Sequence, residues 1–163
     1  MSIKSLIKEI EQESISTQKV LERIPEDKFD WKPHEKSMTL KALAIHLAEI
    51  SGLTSLVITT PELDFSKTKK TIEINTTKEL VDFYKKLKQK SIAALQTAKE
   101  EELDKNWIMR NGDFVIMDSP KREIIRTMAL SHAYHHRGQL SVYLRLLNIP
   151  VPSIYGPSVD EPN

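Results

Sequence analysis

Apolar residues recur at helical spacing over four stretches of the chain. In the first, from about Ser2 to Ile24, Ile3, Leu6, Ile7, Ile10, Ser14, Thr17, Leu21 and Ile24 fall on one stripe. That is the pattern of a helix that buries one face, and Pro25 ends it. A second helix is predicted from Ser37–Thr39 to about Val57, and Thr60-Pro61 closes that region. A third opens with Thr76-Thr-Lys-Glu79, the spacing of a capping box. It carries Leu80, Phe83, Tyr84, Leu87, Ile92 and Leu95 toward Glu100. The fourth begins where Ser119 and Pro120 read as N-cap and first helical residue. It runs to about Leu147, with Pro150 beyond its end.

The connections differ in kind. Residues 26–38 form a loop whose Phe29 and Trp31 tuck under the end of the helices. Residues 61–75 are polar and Lys-rich, too long a stretch for a tight antiparallel turn, and indicate a crossover. Asn111-Gly112 lies between two short β-prone runs, the signal for a hairpin with a type I′ turn. The tail keeps Ile149, Val151, Ile154 and Tyr155 among its prolines and is expected to pack on the helices. The predicted architecture is one domain over residues 1–163 of the all-α class. It is a four-helix bundle with a long crossover between helices two and three and a short β-hairpin before helix four.

The bulk numbers narrow the function. A net charge of +1 with acids and bases intermixed lacks the basic footprint of a nucleic-acid binder. With no cysteine, thiolate metal sites and a cysteine nucleophile are excluded. The first ten residues are amphipathic and show no signal-peptide core. No apolar run reaches the roughly 18 residues of a membrane span, so a cytoplasmic setting without membrane contact is expected.

The candidate chemistry is histidine. On the fourth helix His132 and His136 are four residues apart and fall in the middle of the buried stripe, whereas His135 lies at its edge. Glu123, Arg126, Arg137, Ser141 and Arg145 occupy the far side. On the second helix His46 shares a stripe with Leu43, Ile50, Leu53 and Val57. A core histidine is usually a hydrogen-bonded structural residue. Three inward imidazoles are harder to satisfy, because each buried ring without a partner costs on the order of 1–3 kcal/mol. One metal ion satisfies all three, and three nitrogen ligands leave open positions, as catalytic sites do. No Glu follows the first histidine of the pair, so the pattern is not that of an HExxH protease.

Other residues carry weaker signals. Glu49 is a candidate second-shell or base residue, with a solvated helix-edge carboxylate the preferred reading. Gln139 and Tyr143 are candidates to line the pocket, and Trp31 and Trp107 to wall it or to cover bundle ends. His34 is read as a loop histidine near the bundle mouth. Gly138, on the outer face with Ser141 and Val142, would permit a close helix approach, so a homodimer seam is one reading and a tolerated glycine the other.

Three segments together resemble the DinB superfamily, which includes the YfiT-like metal-dependent hydrolases. They are Leu43-Ala-Ile-His-Leu-Ala48, His132-Ala-Tyr-His-His-Arg-Gly-Gln-Leu140 and the tail Val151-Pro-Ser-Ile-Tyr-Gly-Pro-Ser158. The resemblance covers essentially the whole chain. It implies up-down-down-up topology and a divalent metal, often nickel or zinc, held by His46, His132 and His136. It also implies frequent dimers and activity toward small molecules. Its better understood relatives use low-molecular-weight thiols such as bacillithiol or mycothiol, so a thiol S-transferase or a hydrolase is expected. A non-catalytic, stress-related metal-binding bundle is the alternative.

Overall fold

The computed structural model describes residues 2–68 and 72–162. Helix α1, Ile3–Glu22, is capped by Ser2, whose side chain and that of Ser5 form a reciprocal capping box. Helix α2, Leu40–Ile50, is capped by Thr39, and α3 covers Leu53–Thr59. Helix α4, Thr77–Thr97, has the Thr76–Glu79 capping box at its start. The last helical segment begins with α5, Lys121–Ile124, continues through a π-helical stretch, Ile125–Ser131, and ends with α6, His132–Leu146.

Contacts between ends fix the directions of the helices. The Thr77 hydroxyl donates to the Ile24 carbonyl, and the Ile3 amide donates to Glu100, so α1 and α4 run antiparallel. Ser51 and Ser55 meet Tyr84 and Ser91 in the same order, so α2–α3 and α4 are parallel. Tyr143 donates to Met38 and Lys121 to Ile58, which sets α5–α6 antiparallel to α2–α3. Glu9 pairs with Arg126 and Glu13 with Arg137, which sets α6 parallel to α1.

The molecule is not all-α. Strand β1, Glu62–Asp64, pairs in parallel with β2, Asn106–Asn111, and β2 pairs antiparallel with β3, Phe114–Pro120, in a three-stranded sheet. Arg110 forks onto both carboxylate oxygens of Glu62 at 2.9 Å each. The Asp64 carboxylate accepts from the Ser66 amide and hydroxyl and from the Gly112 amide. The crossover is thus pinned to the hairpin. The turn also sits one residue later than expected. Asn111 pairs with Phe114, Gly112 and Asp113 form the loop, and Gly112 alone has positive φ (59°), as a type II′ rather than a type I′ turn requires. Pro120 ends β3 instead of opening a helix, which begins at Lys121.

The second predicted helix is broken at Ser51-Gly52. The Ser91 hydroxyl enters the backbone ladder there: it donates to the Ser51 carbonyl at 2.6 Å and accepts from the Ser55 amide at 3.2 Å. Insertion of a side chain between a helical donor and its acceptor is a recognised cause of a break. A Cβ at Gly52 would meet Leu87 Cδ2 of α4 at 3.1 Å, which explains the glycine. Leu40–Thr59 as a whole is long and apolar enough to cross a membrane by length and composition, contrary to the sequence expectation. The physical reason is core burial: Leu40, Leu43, Ala44, Leu47, Ala48, Val57 and Ile58 fill the interior between helices.

Two apolar clusters build that interior. One gathers Val20, Leu21, Phe29, Leu40, Leu47, Leu80 and Leu140, with Ile149, Val151 and Ile154 of the tail against it. The other gathers Leu6, Val57, Leu103, Trp107, Ile124 and Leu130. Trp107 is fully buried and donates to the Thr60 hydroxyl. A cavity of about 40 Å³, lined in part by Ser14, Thr17, Ser51, Tyr84 and Tyr134, lies among the helices.

Arg137 departs most from the helical-wheel expectation. It is 2% exposed, not on a solvated far side. Its guanidinium donates to the Glu13 carboxylate at 2.7 Å, to the Glu13 carbonyl at 3.1 Å and to Thr17 at 3.2 Å, and it also meets the Tyr155 hydroxyl. The rings of Tyr134 and Tyr155 lie against its planar head at 5.3 and 5.0 Å. The parallel neighbour α1 supplies the acceptors, and the tail supplies the lid. Truncating one partner of a buried, hydrogen-bonded pair strands the other charge. Arg137→Leu is therefore expected to lower the free energy of unfolding by about 2–4 kcal/mol in urea titrations, with secondary structure retained; a loss under half a kcal/mol would mean that the pair is dispensable.

Candidate metal centre

Thr39 starts α2 by accepting from the Ala42 amide at 3.1 Å, and His46 follows about two turns later. Antiparallel packing of α6 brings His132 and His136 across from it. The ring centroids of His46 lie 5.2 Å from His132 and 4.7 Å from His136, and the latter two are 4.4 Å apart. One nitrogen from each ring lies within 4.8 Å of the others. His136 is buried and the other two are half-buried. Among the described residues these three form the converging set.

A hydrogen bond sets which nitrogen His136 presents. His136 Nδ1 lies 2.7 Å from Gln139 Oε1. An amide oxygen only accepts, so Nδ1 carries the proton and Nε2 is bare. Burial lowers the His132 ring, and the Met128 backbone works against it by favouring the charged form. The turn there is π-helical: the His132 amide bonds Thr127 O, five residues back, rather than Met128 O. His132 Nε2 faces His136, so its Nδ1 is turned away from the pair. The two Nε2 atoms face one another at 2.7 Å, a separation that a shared proton or a cation bridging the pair satisfies. Burial, followed by the charges of His136 and His132, pushes His46 down to about 4, and burial also lowers His132. Neutral imidazoles, one with its outer nitrogen fixed by an amide oxygen, are the donor set that divalent transition metals take.

The other candidates fall outside this set. His135 is exposed, its ring 5.0 Å from that of His136. His34 is exposed and accepts from the Lys36 amide in its own loop. Glu49 is half-buried one turn beyond His46. Gly138 is exposed, with open space where a side chain would stand. Tyr143 lies on the histidine stripe of α6, with Trp31 edge-on to it at 5.5 Å. The π stretch before His132 was not foreseen, because nothing local in the sequence marks a π turn.

The sequence model of the DinB family matches residues 1–163. The chain belongs to the DinB family. Among curated relatives, YrdA of Bacillus subtilis is 26% identical over 156 residues, covering 95% of this chain and 89% of that protein. YjoA of the same organism is 26% identical over 129 residues, covering 79% of this chain and 80% of that one. Both are described as uncharacterized. The fold is shared with the crystal structure of the DinB-like YjoA, with a TM-score of 0.71 at 23% identity over 92% of this chain and 96% of that one. A DinB-like protein from Bacillus cereus gives a TM-score of 0.73 at 23% identity over 94% and 98%.

In this DinB-family chain the depressed histidines link folding to pH. A histidine held below its ordinary value is neutral in the folded state while the unfolded chain still binds protons, so stability rises with pH across that interval. The contribution is present above about 6.5 and is lost as pH falls toward about 4. The urea midpoint of metal-free protein is therefore expected to fall steadily as pH drops through this window. His46→Asn should flatten the decline. A wild-type profile flat from pH 6.5 to about 5 would contradict the depressed values.

Proposed function

We propose that His46, His132 and His136 hold one divalent metal ion, nickel or zinc, and that the protein is a metal-dependent enzyme acting on small molecules, either an S-transferase using a low-molecular-weight thiol or a hydrolase. The observation that carries this reading is the convergence of three ring nitrogens within 4.8 Å of one another, two of them Nε2 atoms facing each other at 2.7 Å. When bound, such an ion supplies Lewis acidity and a positive charge that favours an anionic ligand, hydroxide or thiolate. The chain does the rest by position. Gln139 holds His136 through its Nδ1, which raises that ring's basicity toward a metal. His46 and His132 are only half-buried, so the cluster is not sealed from solvent. Three neutral donors do not cancel the charge of a divalent ion, and the chain has no cysteine. A thiolate at this centre must therefore come from solution, which supports a thiol as co-substrate.

Elemental analysis of purified variants tests the ligand set. His46→Ala, His132→Ala and His136→Ala should each strip the metal, while His135→Ala retains it. Gln139→Ala should keep the metal but weaken it about 10- to 100-fold. Metal retained in His136→Ala and lost in His135→Ala would overturn the assignment. The chemistry is tested with cobalt-substituted protein, which should develop a sulfur-to-metal charge-transfer band when a thiol is added. Absence of the band with every thiol tried would rule out the transferase reading, and a metal without exchangeable water would favour the non-catalytic bundle.

A further inference from the structure

The stripe of α6 that carries His132 and His136 continues through Gln139 to Tyr143. Antiparallel packing brings the start of α2 to the same end, where the Tyr143 hydroxyl donates to the Met38 carbonyl at 3.3 Å. Trp31 stands edge-on to Tyr143, ring centroids 5.5 Å apart and planes at 83°. The Trp31 loop is tied to the helix that bears His46: the Leu40 amide donates to the Trp31 carbonyl at 2.8 Å, and the Lys41 amide to the Phe29 carbonyl at 3.0 Å. The aromatic pair is therefore held in a fixed relation to the histidines. Both rings are only half-buried, and Met38 is 42% exposed.

Between the aromatic end and the histidines, the same antiparallel register sets Ala42 on α2 across from Gln139 on α6. Ala42 offers a single methyl group, and Gln139 is exposed with its oxygen already committed to His136. His136 and Tyr143 are seven residues apart, about 10 Å along the helix. The result is a strip with nitrogen ligands at one end, two rings and an exposed methionine at the other, and a methyl group and an amide side chain between. Preset aromatic faces beside a polar reaction centre are the usual make-up of a small-molecule site, and an exposed methionine adapts to varied apolar shapes.

Taking the three-histidine cluster as a metal centre, we propose that Trp31, Met38 and Tyr143 form an apolar subsite for the non-reacting end of the substrate. The class is a thiol or an electrophile that carries an aromatic or extended alkyl group about 10 Å from the atom at the histidines.

The experiment compares 5-phenylpentane-1-thiol, whose extended chain carries its ring this far from the sulfur, with 2-mercaptoethanol, which does not reach. Both are titrated into cobalt-loaded protein, with each affinity corrected for that of the same thiol toward aqueous cobalt. Wild-type protein should bind the aryl thiol at least about tenfold more tightly. Trp31→Ala should bring the ratio near one, and so should Ala42→Leu, which fills the strip, with 2-mercaptoethanol affinity unchanged in both. A wild-type ratio near one, or an equal loss for both thiols in Trp31→Ala, overturns the subsite while the metal assignment stands. Trp31 emission, taken as the difference from Trp31→Phe, reads the subsite without metal. A shift in that emission on adding the aryl thiol, with no charge-transfer band from either thiol, would sustain the subsite and overturn the metal centre. No change in either signal overturns both.

Discussion

Arg137 and His136 are neighbours in sequence that serve opposite sides of one helix. The guanidinium is locked into acceptors on α1 and covered by the tail, and the imidazole meets the histidine of α2. A buried charge tolerates little rotation, because losing its acceptors would leave it desolvated and unpaired. Fixing Arg137 therefore fixes the azimuth of α6, and with it the direction in which His132 and His136 project. A second ion pair along the same seam, Glu9 with Arg126, supports the setting and recruits the Tyr134 hydroxyl. The cluster is thus positioned by α1, an element that contributes no ligand.

Two departures from regular helix adjust the backbone near that cluster. In α2–α3 a serine hydroxyl from α4 takes a place in the ladder, letting the helix change direction just beyond His46. In the last helix the π stretch carries the His132 amide onto the Thr127 carbonyl, five residues back. Both keep the backbone polar groups satisfied while altering which side chains line up.

How much of this was legible in the sequence depends on the range of the interaction. His46, His132 and His136 stood out because a polar ring on an apolar stripe violates a local period, and the Thr76–Glu79 cap is a four-residue pattern. Strand β1 has only three residues, too few to show an alternation, and its partner lies beyond the whole of α4. Arg137 was read as solvated because the wheel registers charge but not Glu13 on a different helix. The hairpin was visible but its turn type was not. Asn111-Gly112 satisfies the local rule for one turn, while pairing of Asn111 with Phe114 and the bond from the Gly112 amide to Asp64 select the next.

The break at Ser51 bears on how the chain is made. Residues 40–59 form a segment apolar enough and long enough to span a bilayer. The hydroxyl that interrupts it belongs to Ser91, which leaves the ribosome later. Until α4 is synthesised and docks, nothing splices that hydroxyl into the ladder, and the segment is free to form one straight apolar rod. The nascent chain thus passes through a stage in which its most adhesive segment is complete and its cover is not. The order of helices, with α4 arriving after the crossover, sets how long that exposure lasts.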